Sequence, residues 1–294
     1  MSEKSRDKLM VHSVSVVIPA KNESGALQPL IHGLKRISVV NEIIVVDDGS
    51  TDDTAQVSAE AGAIVVKHPY SKGNGAAIKS GARAATGDIL VFMDGDGQHR
   101  AEDIPRLLAK LAEGFDLVVG ARQSGAQASL GRSLANKIYN YLASYMTGHM
   151  VKDLTSGFRV VWRTKFIEFL NLLPNGFSYP TTSTMAFFRA GYSVAYHPID
   201  VRQRVGISHI KPLQDGIRFL LIIFKIGTLY SPLKIFVPLA FLVFSIGLSY
   251  YGYTYFTENR FTNMSALMFT TSLIIFMVGL VSEQITSLMY RKSE

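Results

Sequence analysis

Two aspartates separated by one glycine follow a short apolar run. Asp94 and Asp96 come directly after ILVFM, which has the composition and length of a buried strand. Residues i and i+2 of an extended chain point to the same side, so the two carboxylates can converge. Hard oxygen ligands suit Mg²⁺ or Mn²⁺, and Gln98 and His99 follow closely enough to complete the coordination shell. We predict a divalent-metal site here; the alternative is a solvated turn.

A second acidic pair, Asp47 and Asp48, ends another β-branched run, EIIVV. A carboxylate in this position can accept hydrogen bonds from a ribose hydroxyl or from a base N–H. The pair therefore predicts a contact with a nucleoside. The alternative is structural, with Ser50 or Thr51 capping a helix that follows.

A glycine-rich segment, Lys72-Gly73-Asn74-Gly75, opens a predicted helix. Small residues at a helix N-terminus allow a phosphate to approach the backbone N–H groups closely. The segment lacks the order of a Walker A loop, GxxxxGK[ST]. A phosphate contact and a plain turn are both open interpretations.

The elements that must position these residues alternate between strand and helix. This pattern indicates an α/β fold with a mostly parallel sheet covered on both faces. In such sheets ligands bind beyond the carboxyl ends of the strands, where the acidic residues fall. The predicted strands are 14–18, 42–46, 63–66, 88–93 and 116–120, the predicted helices are 25–37, 51–61, 76–85, 102–112 and 131–148, and 153–162 is predicted as a loop running into a strand.

The C-terminal part of the chain is predicted to lie in a membrane. Residues 214–229 alternate apolar and basic groups, as in a helix at the membrane interface. Two apolar runs follow, 233–256 and 265–290, each long enough to span a bilayer. Basic residues before the first run and after the second predict that the N-terminal α/β domain and the C-terminus lie in the cytoplasm. The predicted domains are 1–212, 213–232 and 233–294; the alternative is a buried helical hairpin of a soluble protein.

Overall composition narrows the possible ligands. The net charge of +7 suits nucleic acid, anionic lipid or phosphorylated ligands, and no nucleic-acid motif accompanies it. The chain has no cysteine, which excludes disulfides and thiolate metal sites. The polar N-terminus and the short run 14–18 are not expected to act as a signal peptide. Glu283 and Gln284 inside the second span predict helix–helix contacts, which could join protomers of a homo-oligomer.

Five motifs occur in the order seen in family 2 glycosyltransferases. Over residues 14–211 the chain resembles most closely the dolichyl-phosphate mannose synthase branch, which includes polyprenyl-phosphate glycosyltransferases. The resemblance implies a GT-A fold and inversion at the anomeric carbon, with a nucleotide-sugar donor, a polyprenyl phosphate acceptor and Mg²⁺ or Mn²⁺. The motifs are PAKNE at 19–23, DDGSTDDT at 47–54, KGNG at 72–75, DGDGQH at 94–99 and DLTSGFR at 153–159.

The resemblance also implies roles for individual residues. The chain departs from the family at Lys21, where many relatives have an aromatic residue, and at His209, which replaces a lysine. In Arg204-Val205-Gly206 the arginine lies one place nearer the glycine than in the family's segment. The implied donor contacts are Pro19, Lys21, Glu23, Asp47, Asp48, Lys72, Asp94, Asp96, Arg204, His209 and Lys211; the metal ligands are Asp94, Asp96 and Gln98; the acceptor-phosphate contacts are Arg122, Arg132, Ser156 and Arg159; and the catalytic residues are Asp96, Asp153 and Arg122.

The implied mechanism is one in-line displacement by the acceptor phosphate. A phosphate monoester has a second pKa of about 6, so it needs no strong general base. Asp153 would orient the acceptor or hold Arg159, or else form a structural salt bridge. Two other classes stay open: a glycosyltransferase acting on a phosphate-free lipid or protein, and a non-enzymatic scaffold that binds nucleotide-sugars. GDP-mannose, UDP-glucose and UDP-N-acetylglucosamine are all possible donors.

Overall fold

Strands and helices alternate along most of the chain, as the apolar pattern predicts. The computed structural model describes residues 12–122, 130–176, 178–201, 224 and 227–289, with only the backbone for 130–136. The strands are β1 (Val14–Ala20), β2 (Glu42–Asp47), β3 (Ile64–Lys67), β4 (Ile89–Phe92), β5 (Leu117–Arg122), β6 (Arg159–Trp162) and β7 (Val194–Ile199). The helices are α1 (Ser24–Lys35), α2 (Thr54–Glu60), α3 (Asn74–Ala84), α4 (Ile104–Leu111), α5 (Leu130–Thr147), α6 (Arg163–Ile167), α7 (Tyr179–Arg189), α8 (Pro232–Glu258) and α9 (Asn263–Met289).

The described strands form one mixed sheet in the order β3-β2-β1-β4-β6-β5-β7. β1 runs parallel to β2 and β4, and β5 runs parallel to β7. β6 is antiparallel to both of its neighbours, β4 and β5. The prediction of an α/β fold with a mostly parallel sheet is confirmed, while the reversed direction of β6 and the strand β7 were not predicted.

The sheet is buried because helices cover both of its faces. α1 buries Leu27, Leu30, Ile31 and Leu34, the spacing of one helical face, in the same cluster as Val16. α3 lies on the opposite face, where Gly81 is so close that a Cβ atom would be 2.3 Å from Val17 Cγ1. Continuous apolar runs such as that of β4 follow from this two-sided burial.

The start of α3 is held by a distant loop. Gly75 N–H donates to the carbonyl of Gly176 at 3.1 Å, and Ala76 N–H donates to that of Asn175 at 2.9 Å. A Cβ on Gly75 would lie 2.0 Å from the carbonyl oxygen of Pro174. Two N–H groups that a helix leaves unpaired are therefore satisfied by backbone carbonyls, and only glycine fits this position.

The chain divides into two compact units. Within the described residues, the first contains 12–122, 130–144, 149–176 and 178–201, and the second contains 145–148, 224 and 227–289. The predicted interfacial helix, 213–232, lies largely outside the described residues; its end, 227–230, is helical.

α8 and α9 form an antiparallel pair of long apolar helices in the second unit. Small residues recur every seven positions on their contacting faces, and Ser272 Oγ donates to the carbonyl of Ala240 at 2.8 Å. Only 11% and 17% of their most apolar windows are buried, unlike the core helix of a soluble protein. Both helices are long and apolar enough to cross a membrane. The buried small residues are Ala240, Gly247 and Thr254 on α8 and Ser265, Ser272, Gly279 and Thr286 on α9.

Charged residues fix the first turn of α8. Lys234 Nζ donates to the carbonyls of Tyr145 and Met146 at 3.1 and 2.8 Å, so a cation satisfies the C-terminus of α5. Glu283 Oε2 accepts a long hydrogen bond from Leu233 N–H at 3.5 Å. This contact of Glu283 lies within the hairpin, so it does not require a second protomer, and the homo-oligomer stays a prediction.

We expect Gly75→Ala to lower the free energy of unfolding by about 1–3 kcal/mol, because the added methyl group would overlap a backbone carbonyl that cannot move freely. Gly25→Ala is the matched control: a Cβ there meets nothing within 4 Å, and alanine favours the helix. Thermal unfolding of both variants in detergent measures the difference. Equal midpoints for the two variants would contradict the packing of residues 174–176 on α3.

Candidate active site

Asp94 and Asp96 lie at a turn directly beyond β4. Asp94 Oδ2 is 3.4 Å from Nε2 of the buried His99, whose ring packs against that of Phe158 at 5.1 Å. Asp96 Oδ1 accepts a hydrogen bond from the Gln98 N–H at 3.1 Å. No group of three or more His, Asp or Glu side chains forms a ready metal cluster in the part of the chain that is described. The predicted metal ligands are instead two carboxylates, Asp94 and Asp96, and the side-chain amide of Gln98. Their hard oxygen donors fit Mg²⁺ or Mn²⁺.

The segment before β6 reaches Asp94 because β6 is reversed. Phe92 of β4 pairs with Arg159 of β6, so the residues that precede Arg159 lie at the carboxyl end of β4. Gly157 is in direct contact with Asp94, since a Cβ on Gly157 would lie 2.6 Å from Oδ2 and 2.9 Å from Oδ1. The Gly157 carbonyl accepts a hydrogen bond from the buried Tyr179 hydroxyl at 3.1 Å. Burial raises the pKa of that hydroxyl, which therefore stays a proton donor.

Arg122 and Asp153 form a two-pronged ion pair at the same edge. Arg122 Nε donates to Asp153 Oδ2 at 2.8 Å and Nη2 donates to Oδ1 at 2.9 Å. The Thr155 hydroxyl also accepts from Nη2, and the N–H groups of Thr155 and Ser156 both donate to Asp153 Oδ1 at 3.1 Å. Burial alone would raise the pKa of Asp153, but the hydrogen bonds and charge of Arg122 outweigh it and lower that pKa. Asp153 therefore forms its ion pair with Arg122, which was not predicted as its partner, and does not hydrogen-bond to Arg159 among the described contacts.

Arg159 is fully buried at the start of β6. Its Nη1 donates to Ser183 Oγ at 2.8 Å and to Thr184 Oγ1 at 2.9 Å, and its Nε donates to the carbonyl of Ser156 at 2.8 Å. Burial lowers the pKa of the guanidinium. Arg159 was predicted to contact an acceptor phosphate. It cannot do so in this arrangement, because its side chain has no exposed surface. Ser156 is also buried, and its Oγ has no hydrogen-bond partner among the described residues.

Asp48 is a buried carboxylate that accepts four hydrogen bonds. The donors are the His68 ring at 2.7 Å, the Ser71 hydroxyl at 2.7 Å, and the N–H groups of Lys72 and Gly73 at 2.8 and 2.9 Å. Burial alone would raise the pKa of Asp48, yet these donors lower it to about 2. A carboxylate has about four lone-pair positions, so a ribose or base would have to displace one of these donors.

The loops after β1 and β2 are joined to each other. Asn22 N–H donates to Ser50 Oγ, and Thr51 N–H donates to Asn22 Oδ1, both at 2.9 Å. The alternative in which Ser50 or Thr51 caps a helix is wrong, because α2 begins only at Thr54, with Asp53 at its cap position. Asp47 Oδ1 instead accepts from Ser50 N–H at 2.9 Å.

The remaining predicted donor residues surround these loops. Pro19 is half-buried near the end of β1, Lys21 is exposed, and Glu23 precedes α1 with its N–H donating to Thr54 Oγ1 at 3.0 Å. Lys72 is exposed, and its ammonium lies 5.8 Å from the ring centroid of Tyr70.

The predicted phosphate contact at the start of α3 is not supported, because the carbonyls of 175 and 176 occupy its N–H groups. Four further predicted residues cannot be placed in the site. Arg132 lies in the first turn of α5, with its side chain outside the described part, and Arg204, His209 and Lys211 lie outside the described residues.

Solved structures with a similar fold are glycosyltransferases. The glucosyl-3-phosphoglycerate synthase of Mycobacterium tuberculosis, in complex with Mn²⁺, UDP and glucosyl-3-phosphoglycerate, superposes with a TM-score of 0.60 and 25% identity. The match covers 76% of this chain and 81% of that one. The chain therefore has the GT-A fold of a glycosyltransferase, as predicted.

Two family models match the sequence. The model described as glycosyl transferase family 2 matches residues 15–170, and the one described as the GtrB C-terminal hairpin matches residues 231–288. The chain belongs to glycosyl transferase family 2, and it is a glycosyltransferase.

Relatives of known name match this chain over different lengths. Glycosyltransferase AglJ of Haloferax volcanii is 27% identical over 292 residues, 94% of each chain. The undecaprenyl-phosphate 4-deoxy-4-formamido-L-arabinose transferase of Salmonella choleraesuis is 38% identical over 157 residues. That match covers 50% of this chain and 48% of the relative, so it spans about half the length of that enzyme.

We expect stability to depend less on pH in Asp48→Asn than in the wild-type chain. The pKa of Asp48 is about 2 in the folded state against an ordinary value of 3.8, so its carboxylate stabilises the fold above about pH 4. That contribution is lost as pH falls from about 4 towards 2. Denaturant unfolding at pH 7 and pH 3 should therefore separate wild type from variant at pH 7 and bring them closer at pH 3. Glu113→Gln, at an exposed carboxylate, controls for the loss of one charge, and a constant gap would contradict the assignment.

Proposed function

We propose that this enzyme transfers one sugar from a nucleotide-sugar to a polyprenyl phosphate at the cytoplasmic membrane face, with inversion at the anomeric carbon. The observation that carries the proposal is the convergence of Asp94, the 153–157 segment and Arg122 at one edge of the sheet, in a chain with two helices long and apolar enough to cross a membrane. The name of the undecaprenyl-phosphate relative supports the acceptor class.

The donor is proposed to bind across the carboxyl ends of β1, β2 and β4. Ala20 and Asp47 are paired in register, and Asp94 lies two residues past Phe92, so these groups share one edge. Pro19, Glu23 and Asp47 would surround the nucleoside, and the exposed Lys21 and Lys72 would face its phosphates. UDP in the neighbouring structure supports a nucleoside diphosphate, and both UDP- and GDP-sugars remain in the proposal.

Asp94, Asp96 and Gln98 are proposed to hold a divalent metal. Mg²⁺ or Mn²⁺ bound there would neutralise the developing charge of the diphosphate leaving group. The Mn²⁺ in the neighbouring structure supports this choice. His99 packs behind Asp94 and keeps its carboxylate oriented.

Arg122 is proposed to bind the acceptor phosphate. Asp153 and Thr155 accept hydrogen bonds from Nε and Nη2 of Arg122, so they fix the plane of the guanidinium. The Nη1 edge of the guanidinium would then face the acceptor phosphate. A planar guanidinium pairs well with phosphate, and an acceptor that is already ionised needs only positioning to attack. Asp153 therefore acts on the acceptor through Arg122, and the buried Arg159 supports the Ser156 backbone.

Anchoring by α8 and α9 would hold the enzyme at the membrane. A polyprenyl tail lies in the bilayer and its phosphate lies at the interface, so the acceptor is delivered to a membrane-bound enzyme. The basic residues near the ends of the hairpin support a cytoplasmic catalytic unit.

Asp96→Ala should abolish sugar transfer while leaving the fold intact, because it removes a proposed metal ligand at a half-buried turn outside the apolar core. A panel of radiolabelled UDP- and GDP-sugars, with short polyprenyl phosphate in detergent, tests this with Mg²⁺, Mn²⁺ or EDTA. We expect metal-dependent label in an acid-labile lipid with one donor, and a loss of at least about 100-fold in the variant. Glu113→Ala is the control. Label on phosphate-free lipid or protein instead would overturn the acceptor assignment.

Gly157→Ala should weaken Mn²⁺ binding in the presence of UDP or GDP, because the new methyl group would overlap the Asp94 carboxylate. Titration of Mn²⁺ followed by electron paramagnetic resonance measures this without turnover. We expect a loss of about tenfold, equivalent to about 1.4 kcal/mol. Gly25→Ala, where the Cβ meets open space, should bind as wild type does. Unchanged affinity in Gly157→Ala would show that the 153–157 segment moves away from Asp94.

A further inference from the structure

Three buried or half-buried side chains form a continuous hydrogen-bonded chain behind the proposed donor site. Ser80 Oγ lies 2.9 Å from His68 Nε2, and His68 Nδ1 lies 2.7 Å from Asp48 Oδ1. His68 is 4% exposed and Asp48 is 5% exposed. These hydrogen bonds connect Ser80 on α3, His68 after β3 and Asp48 after β2, which are distant in the sequence.

The chemistry of Asp48 determines the direction of these hydrogen bonds. With a pKa of about 2, its carboxylate is ionised at neutral pH and can only accept. His68 Nδ1 must therefore carry a proton and donate it towards Asp48. In the neutral imidazole Nε2 is then an acceptor, and the Ser80 hydroxyl donates to it. Ser80 thus holds the tautomer in which His68 can serve Asp48.

The carboxylate oriented by His68 in turn holds the segment before α3. Asp48 accepts from Ser71, Lys72 and Gly73. Gly49, with φ of +69°, lies against the same segment, and a Cβ there would be 2.7 Å from Ser71 N. The segment therefore lies directly across the carboxyl end of β2.

We infer that His68 is a positioning residue for the nucleoside diphosphate of the donor. Its imidazole fixes the Asp48 carboxylate, and Asp48 fixes the backbone that carries Lys72 at the donor edge of the sheet. Loss of the Nδ1 donor leaves one Asp48 oxygen without its ring partner, and the carboxylate can then rotate away from the N–H groups of Lys72 and Gly73. The inference rests on the proposed function, because it takes this edge as the donor site.

Two substitutions test the roles of the two ring nitrogens of His68 separately. An asparagine amide nitrogen stands as many bonds from Cβ as Nδ1 does, so His68→Asn retains a donor for Asp48. A glutamine amide nitrogen stands as many bonds from Cβ as Nε2 does, so His68→Gln retains a partner for Ser80 and loses the donor to Asp48. Ser80→Ala removes only the far end of the chain. His32→Asn, at an exposed position of α1, is the matched control.

The experiment measures Kd for UDP and GDP with Mn²⁺ by calorimetry on the full-length protein in detergent, together with KM for the donor and kcat. His68→Gln should weaken binding about tenfold and raise KM with little change in kcat, the loss expected for one hydrogen bond to a charged group. His68→Asn should remain within about threefold of wild type, and Ser80→Ala should lose affinity in the same direction by about threefold. His32→Asn should be unchanged.

Wild-type affinity in His68→Gln would overturn the inference and leave the proposed function intact. Equal losses in His68→Gln and His68→Asn would also overturn it, because the effect would then not follow the Nδ1 donor. Where both histidine variants show a lowered thermal midpoint, Ser80→Ala decides: weaker binding supports the inference, and unchanged binding rejects it. Absence of nucleoside diphosphate binding in the wild-type protein would reject the donor site itself and the inference with it.

Discussion

The reversed direction of β6 is the constraint on which the rest of the candidate site depends. The parallel strands β1, β2 and β4 bring their carboxyl ends to one edge, as α/β sheets do. An antiparallel β6 begins at that edge, where a parallel strand would have ended, so the residues before it are delivered to Asp94. β5 ends there as well and contributes Arg122. One change of strand direction thus brings together groups from distant parts of the sequence.

Buried charge in this chain is balanced locally. Asp153 is neutralised by Arg122 and by backbone N–H groups, whereas Asp48 relies on neutral donors and the His68 ring. Among the described residues, Arg159 has no carboxylate as a hydrogen-bond partner and donates to hydroxyls and carbonyls. A buried charge is tolerated only when such partners are already in place, so these networks define the shapes of the loops around them.

The strands and the acidic pairs could be predicted because their signals are local. An apolar run that ends in Asp94 or Asp47 shows both the strand and the edge it reaches. The antiparallel pairing of β6 could not be predicted, since nothing within RVVW distinguishes the two directions. β7 was missed because VAYHPI mixes polar residues and proline into an edge strand. α7 was missed because its run of Thr and Ser favours other structures locally, and its helix is stabilised by burial.

The pairing of individual side chains could be determined only from the fold. Asp153 lies six residues from Arg159 in the sequence and thirty-one from Arg122, yet it pairs with the more distant arginine because β5 and β6 are neighbours. Neither His68 nor Tyr179 belongs to a recognisable sequence motif, so their roles could not be predicted from the sequence. The sites that sequence reasoning located best are those where one short motif supplies most of the groups, as in Asp94, Asp96 and Gln98.

In the proposed membrane topology, the turn between α8 and α9 would cross the bilayer when the hairpin inserts. Glu258 and Arg260 form an ion pair at this turn, with Arg260 Nη2 2.5 Å from Glu258 Oε2. Moving one unpaired charge through a membrane potential involves about 2.3 kcal/mol per 100 mV. A turn whose two charges cancel carries no net charge across, so its translocation is indifferent to the potential. The proposed insertion of the hairpin would therefore not require an energised membrane.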